Sequence, residues 1–107
     1  MTLKVITSEP ARADVRADCR WWAEHRSAEQ AERWFDACEA AITSLSHRAE
    51  HCLLAPEDDA FPFELRQLTF GLGRKPTHRI LFTIRPEMIF VLRVQHLAQQ
   101  FLTLDDL

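Results

Sequence analysis

The chain has 107 residues, of which 47% are hydrophobic and 27% are charged. This length and composition are typical of one soluble globular domain, and no apolar run approaches the roughly 20 residues that a membrane-spanning helix needs. The formal net charge of −3 excludes a globally basic nucleic-acid binder. Residues 61–100 nevertheless contain six basic and two acidic side chains, so this region is locally positive.

The three cysteines, Cys19, Cys38 and Cys52, are odd in number and widely spaced. This usage is typical neither of a disulfide framework nor of a C-x-x-C metal site, and it indicates a reducing, cytoplasmic environment. A metal site built from His78, His96 and Cys52 lacks the spacing of known ligand motifs. We therefore predict no metal and no cofactor.

The first half of the chain predicts one strand and two helices. Residues 3–7 are rich in β-branched side chains, and Ser8 then serves as a helix N-cap with Pro10 in the first turn. Ser27 and Gln30 form a capping box that begins a second helix almost at once. Apolar residues recur at helical spacing in both segments, which predicts a helical hairpin. The two apolar stripes are Ala11, Val15, Cys19 and Trp22, and then Ala31, Trp34, Phe35, Cys38, Ile42 and Leu45.

The second half changes from a helical period to alternation after residue 62. Residues 48–62 show no period and predict a long loop. Alternating segments then predict three strands, at residues 63–70, 78–84 and 88–94. The predicted fold is a single α+β domain over residues 1–107, in the order β-α-α-β-β-β, with an N-terminal helical hairpin packed on an antiparallel sheet.

This order of elements, together with several short motifs, resembles the RelE/ParE superfamily of bacterial toxins from type II toxin–antitoxin modules. The motifs are an L-R-x-L strand at residues 65–68, a Gly/Arg turn at 71–74, an R-h-L-F strand at 79–82 and a V-L-x-V-x-H strand at 91–96. Ala11, Asp14, Ala31 and Phe35 also resemble the two-helix segment of the family. The resemblance covers essentially the whole chain.

The chain departs from the nuclease branch of this superfamily. It contains no tyrosine, so His78 stands where the family usually has Tyr before Arg79. After His96 there is neither the arginine nor the C-terminal tyrosine of RelE-type nucleases. ParE-type toxins, which poison DNA gyrase and need no nuclease residues, fit these departures better.

The resemblance leaves three functions open. The first is a ParE-like toxin that inhibits growth by binding DNA gyrase, contributes to plasmid stabilisation and is neutralised by a cognate antitoxin. The second is a RelE-like ribosome-dependent mRNA endonuclease that uses Arg66, Arg79, Arg93 and His96. The third is an inactive member that only binds the antitoxin. The acidic net charge disfavours docking on the polyanionic ribosome, so the first function is preferred over the second.

Arg79 and Arg93 are the binding residues that the strand pattern itself indicates. If the last two strands are joined by a three-residue loop, Arg79 lies opposite Arg93. Like charges are usually avoided at opposed positions, so the pair predicts a site for phosphate or for partner carboxylates, with Arg66 joining from the neighbouring strand. The alternative is that these arginines are solvated or are neutralised by an acid such as Glu64.

The histidines and tryptophans give weaker signals. His78 and His96 share the parity of the apolar residues on their strands, which predicts buried, hydrogen-bonded rings in preference to acid–base or partner-binding roles. Trp21 and Trp22 are adjacent and cannot both face the core. Trp22 fits the apolar stripe, so we expect Trp21 to be exposed, as is typical of a protein interface.

The expected partner is a cognate antitoxin whose C-terminal segment folds as it binds. We predict that its acidic residues meet Arg66, Arg79 and Arg93, and that its apolar anchors lie near Trp21. The resemblance also allows a homodimer within a toxin–antitoxin complex. No membrane partner is expected.

Overall fold

The computed structural model describes residues 3–107, so Met1 and Thr2 of the predicted domain lie outside the described residues. This part of the chain contains two α-helices and a four-stranded sheet in the predicted order. The elements are β1 (Lys4–Thr7), α1 (Glu9–His25), α2 (Ala28–Arg48), β2 (Arg66–Phe70), β3 (His78–Ile84) and β4 (Met88–His96). The predicted α+β fold is confirmed. Within residues 3–107, no helix is long and apolar enough to cross a membrane.

Both helices begin at the serines that the sequence identifies as N-caps. Ser8 Oγ accepts a hydrogen bond from the Ala11 amide at 3.2 Å, and Ser27 Oγ accepts one from the Gln30 amide at 3.0 Å. The Ser8 hydroxyl also donates to the Leu92 carbonyl at 3.0 Å. This contact fixes the start of α1 against β4.

The strands are arranged in the order β1-β4-β3-β2. β2, β3 and β4 form the predicted antiparallel meander, but β1 pairs with β4 in parallel. The sheet is therefore mixed rather than wholly antiparallel. Alternation along one strand does not specify its neighbour or its direction, so the sequence pattern left this point undetermined.

A β-bulge in β4 changes the side of the sheet that its residues face. Leu92 is the extra residue, and beyond it Arg79 lies opposite Gln95. The predicted opposition of Arg79 and Arg93 is therefore wrong. The turn before β4 is one residue longer than assumed, and the bulge adds another, so the pairing is displaced by two positions.

Both faces of the sheet are covered. The helices pack on one face, around Trp34, Leu45, Ile80, Phe82 and Ile89. The connection before β2 and the C-terminal segment cover the other face, where Phe61, Leu65, Leu81, Leu92 and Leu102 form a second cluster. The strand predicted at residues 63–70 begins only at Arg66, because residues 61–65 cross this second face. The loop predicted at residues 48–62 contains two short 3₁₀ turns, and its first residue belongs to α2.

Candidate functional site

Arg79 projects from β3 on the sheet face away from the helices, and its side chain is buried. Its two terminal nitrogens donate to both carboxylate oxygens of Glu57 and to the side-chain oxygens of Gln67 and Gln95, at distances from 2.5 to 2.9 Å. We call these four residues the arginine cluster. Glu57 also accepts the backbone N–H of Leu102 at 2.7 Å. The cluster thus joins three strands, the connection before β2 and the C-terminal segment.

The arginine cluster satisfies its own charges. Burial alone would raise the pKa of Glu57, but hydrogen bonds from Arg79 and from the Leu102 amide outweigh it and hold that pKa below its ordinary value. The Phe101 ring centroid lies 5.7 Å from the guanidinium carbon of Arg79. Both terminal nitrogens of Arg79 are therefore occupied within the chain.

The other two candidate arginines also bind acceptors within the chain. Arg93 donates two hydrogen bonds, of 2.7 and 2.8 Å, to the Asp14 carboxylate, and these bonds raise the pKa of Arg93. Arg66 donates to the Cys52 carbonyl at 2.7 Å and pairs with Glu64 at 3.2 Å. The structure thus places the three arginines in three separate contacts rather than in one positive site.

A cavity of about 480 Å³ opens on the helix-covered face of the sheet, between α1 and the neighbouring ends of β3 and β4. The helix and its C-cap contribute Asp18, Trp21, Trp22 and Arg26. The strand ends contribute Thr77, His78 and His96. We call it the histidine cavity. Its walls are mostly aromatic, and they contain one carboxylate.

His78 is neutral at pH 7. Its Nδ1 accepts a hydrogen bond from the Trp34 indole N–H at 3.4 Å and lies 2.8 Å from the Thr77 hydroxyl oxygen. Because an indole only donates, the ring proton must lie on Nε2, which is 3.6 Å from Asp18 Oδ2. Burial, and then the neighbouring His96, lower the pKa of His78 to about 4.

Asp18 is an acid without a close donor. Across residues 3–107, no N–H or O–H group donates a hydrogen bond to its carboxylate, and Nε2 of His78 stays 3.6 Å away. Burial, and then the charge of Asp14, raise the pKa of Asp18 to about 6, while His96 acts in the opposite direction. The side chain is 31% exposed and is accessible from the cavity.

The two histidines differ in burial although they lie opposite each other. His78 is buried as predicted, but His96 is exposed, so the prediction of a buried His96 is wrong. Of the apolar residues that share its parity, Val94 lies with His96 on the helix-covered face, whereas the bulge leaves Phe90 and Leu92 on the other face. His96 is exposed because it is the last residue of β4 and lies at the cavity rim. Trp21 is 46% exposed, as expected. Its ring stacks on His25 at 4.8 Å and lies under the Arg26 guanidinium at 5.8 Å.

Cys52 does not join the two histidines. It lies outside the histidine cavity, and its thiol donates to the Arg48 carbonyl at 3.6 Å. Burial raises the pKa of the Cys52 thiol. In the described part of the chain, no three His, Cys, Asp or Glu side chains are arranged to hold a metal ion.

The similarity of this chain to known proteins shows its family. The sequence matches the family described as the ParE toxin of the type II toxin–antitoxin system parDE, over residues 5–101. This chain belongs to the ParE toxin family. The resemblance to toxins of type II toxin–antitoxin modules is thereby confirmed.

The fold of this ParE-family toxin is also shared with a solved structure. It matches the chromosomal ParDE toxin–antitoxin system from P. aeruginosa with a TM-score of 0.73 and 18% sequence identity, covering 89% of this chain and 96% of that chain. At this identity the likeness shows the fold alone. No curated protein matches the sequence.

The sequence patterns did not indicate Glu57, Asp14 or Asp18 as site residues, although each has a distinct environment in the structure. Glu57 belongs to an acidic run in a loop, which ordinarily predicts solvated carboxylates. Asp14 and Asp18 lie four residues apart on α1, and Trp21 follows at the next helical spacing. This spacing, next to the apolar stripe, is the one sequence signal that would have placed Asp18 beside Trp21.

Proposed function

We propose that this ParE-family toxin inhibits growth by binding DNA gyrase, and that a cognate antitoxin from the adjacent reading frame neutralises it. Family membership over residues 5–101 carries the proposal, because gyrase is the target that the resemblance implies for ParE-type toxins. The P. aeruginosa structure is of a ParDE toxin–antitoxin system, which supports an antitoxin as the regular partner. Action on gyrase implies a cytoplasmic location.

The arginine cluster supports a binding toxin over a ribonuclease. Metal-independent RNA cleavage needs cations placed on the negative charge that develops at the phosphorus. Arg79 has both terminal nitrogens bound to Glu57, Gln67 and Gln95. Releasing it toward a phosphate would leave the Glu57 carboxylate buried without its partner, at a cost of about 3–5 kcal/mol.

The histidines support the same choice. RNA cleavage needs a base for the 2′-hydroxyl and an acid for the leaving oxygen. His78 is buried, and its pKa of about 4 makes it a weak base at neutral pH. His96 is exposed, but its Nδ1 accepts the Ala98 amide at 3.0 Å, which leaves Nε2 for both proton transfers.

The first experiment measures DNA supercoiling by purified gyrase in the presence of antitoxin-free toxin. We expect inhibition that rises with toxin concentration and is reversed by the purified antitoxin. A topoisomerase unrelated to gyrase serves as the control and should keep its activity. Full supercoiling at a large molar excess of toxin would contradict the proposal.

The second experiment maps transcript 5′ ends after toxin expression and tests ribosome-dependent mRNA cleavage by the purified protein. We expect growth arrest without new 5′ ends. Cleavage that is lost in Arg79→Ala or His96→Ala would replace the gyrase proposal with the RelE-like nuclease. Absence of growth arrest would instead favour the inactive, antitoxin-binding member.

Among the predicted antitoxin contacts, Trp21 has the most exposed side chain, and we propose it as a direct anchor. Direct contact of Arg66, Arg79 and Arg93 with antitoxin acids remains a prediction. Arg66 tests it best, because its ion pair with the exposed Glu64 contributes little to folding, and urea denaturation of the variant measures the effect of the lost hydrogen bond to the Cys52 carbonyl. If Arg66 contacts antitoxin acids, Arg66→Gln should lower antitoxin affinity without unfolding the toxin, and unchanged affinity would remove Arg66 from the interface.

A further inference from the structure

The histidine cavity contains a carboxylate that the described chain does not neutralise. Asp18 lines the cavity and accepts no hydrogen bond from residues 3–107. By contrast, Asp14, one turn earlier on the same helix, binds Arg93 through both oxygens. An acid that is only partly solvated and has no donor is electrostatically suited to receive a cation from outside the chain.

The walls around Asp18 are also suited to a cation. Trp21 and Trp22 lie perpendicular to each other with ring centroids 5.6 Å apart. His78 and His96 meet edge to face at 74°, with ring centroids 5.0 Å apart. Aromatic faces attract ammonium and guanidinium groups, and more strongly where water is partly excluded. Because His78 is neutral, it places no positive charge at the floor of the cavity that would repel a cation.

We propose that the histidine cavity binds a lysine or arginine side chain that the antitoxin inserts between Trp21 and His96, with its charged group on Asp18. Naming the antitoxin rests on the proposed function, whereas the preference for a cation rests on the cavity itself. The net charge of −3 on the toxin also favours a basic partner segment. This contact has the opposite polarity to the one that the sequence predicts at Arg66, Arg79 and Arg93.

Arg26 is the one arginine or lysine among the described residues that line the cavity, and His96 is the other basic side chain at the rim. Its guanidinium lies over the Trp21 ring, at 5.8 Å from the centroid. Because Arg26 is positively charged and lies near the entrance, it should weaken cation binding. Its removal therefore tests whether the cavity prefers a positive or a negative ligand. An anionic occupant would depend on Arg26, and a cationic one would depend on Asp18.

The first test titrates the purified full-length toxin with Nα-acetyl-lysine amide and Nα-acetyl-arginine amide, both of which keep the charged side chain. Binding is observed by NMR through the indole N–H resonances of the tryptophans. We expect saturable shifts at Trp21 and Trp22. Asp18→Asn should weaken binding by at least about tenfold, which corresponds to about 1.4 kcal/mol. Arg26→Gln should strengthen it, and Glu24→Gln, an exposed acid on the same helix, should leave it unchanged.

Two neutral or acidic probes decide whether charge governs the site. N-acetyl-norleucine amide has a similar chain without the charge, and N-acetyl-glutamate amide carries the opposite charge. Norleucine binding as tight as lysine binding, or glutamate binding that needs Arg26, would overturn the proposal. If Asp18→Asn fails to fold, Trp21→Leu keeps the carboxylate and removes one wall, and it should still weaken binding of the cationic probes.

The second test uses the antitoxin itself in a double-mutant cycle. Each lysine and arginine of the antitoxin is changed to methionine and paired with Asp18→Asn in the toxin. We expect one position whose loss of affinity largely disappears when Asp18 is already replaced. Additive losses at every position would refute the antitoxin contact while leaving the probe result standing. Gyrase inhibition by the free toxin is a separate measurement, so failure of the proposed target is distinguishable from failure of the cavity.

Discussion

The arginine cluster and the histidine cavity lie on opposite faces of the same sheet, and they differ in how completely their polar groups are satisfied. In the arginine cluster, Glu57 accepts from Arg79 through both oxygens and also from a backbone amide. In the histidine cavity, Asp18 has no donor closer than His78 Nε2 at 3.6 Å among the described residues.

This difference separates charged groups that are paired within the described chain from a charged group that is not. Buried charges persist in proteins when each one is paired and hydrogen-bonded, and Arg79 meets that condition. The motif that indicated Arg79 in the sequence therefore marks a residue whose terminal nitrogens are both bound within this chain. Asp18, which no motif indicated, keeps an unused carboxylate facing a cavity.

The largest expected effect is that of Glu57→Ala. It leaves the Arg79 guanidinium buried without its counterion and removes the acceptor for Leu102. We expect a loss of about 3–5 kcal/mol in the free energy of unfolding, measured by urea denaturation. Glu64→Ala, in the exposed pair with Arg66, is the control and should cost less than about 0.5 kcal/mol. Equal effects of the two substitutions would show that the buried ion pair stabilises the fold no more than the exposed one.

The contact between α1 and β4 is expected to come next. Asp14→Ala removes the acceptor of two hydrogen bonds from Arg93 and of one from the Val94 amide, all partly buried. Charge-assisted hydrogen bonds of this kind contribute enough that we expect a loss of about 2–3 kcal/mol. Glu9→Gln, at an exposed ion pair on the same helix, should leave the unfolding midpoint unchanged. A small effect at Asp14 would mean that apolar packing and the Ser8 contact with Leu92 hold α1 on β4 without the ion pair.

The third prediction concerns Asp18, whose replacement should raise the free energy of unfolding rather than lower it. Its pKa is raised from 3.8 to about 6, so its stabilising contribution is complete below about pH 3.8 and is lost as the pH rises through 6. Asp18→Asn should therefore stabilise the toxin by about 1–2 kcal/mol at pH 7.5, and this gain should vanish near pH 4. Parallel thermal scans at the two pH values, with Glu24→Gln as the control, measure it. Destabilisation at pH 7.5 would show that the carboxylate is satisfied after all.

The smallest effect on stability is expected for Trp21→Ala. The ring is 46% exposed and packs mainly on its helix neighbours, so the free energy of unfolding should fall by less than about 1 kcal/mol. Affinity for the antitoxin should fall far more, because exposed tryptophans at interfaces are frequent binding hot spots. If Trp21→Ala lowers stability but the folded protein still binds the antitoxin with unchanged affinity, Trp21 is not part of the proposed interface.

The sequence by itself determined the type and order of the helices and strands, because these depend mainly on short-range physics, although the start of β2 was set by packing. The serine caps fix where α1 and α2 begin, and helical spacing places Trp34 and Cys38 in the core. Alternation gives β3 with its observed bounds, and β4 differs from its prediction only by two additional residues at its end. The motif order sufficed to indicate the family, which the match over residues 5–101 confirms.

The tertiary structure decided everything that depends on which residues meet across the chain. A single bulge residue, Leu92, together with a longer turn, separated Arg79 from Arg93, and nothing in a local pattern announces such a shift. Glu57 reaches Arg79 from 22 positions away because the connection before β2 folds back over the sheet. Whether a charged group finds a partner within the fold depends on these long-range contacts. Only the folded chain therefore distinguishes Arg79, which is paired, from Asp18, which accepts no hydrogen bond from the described residues.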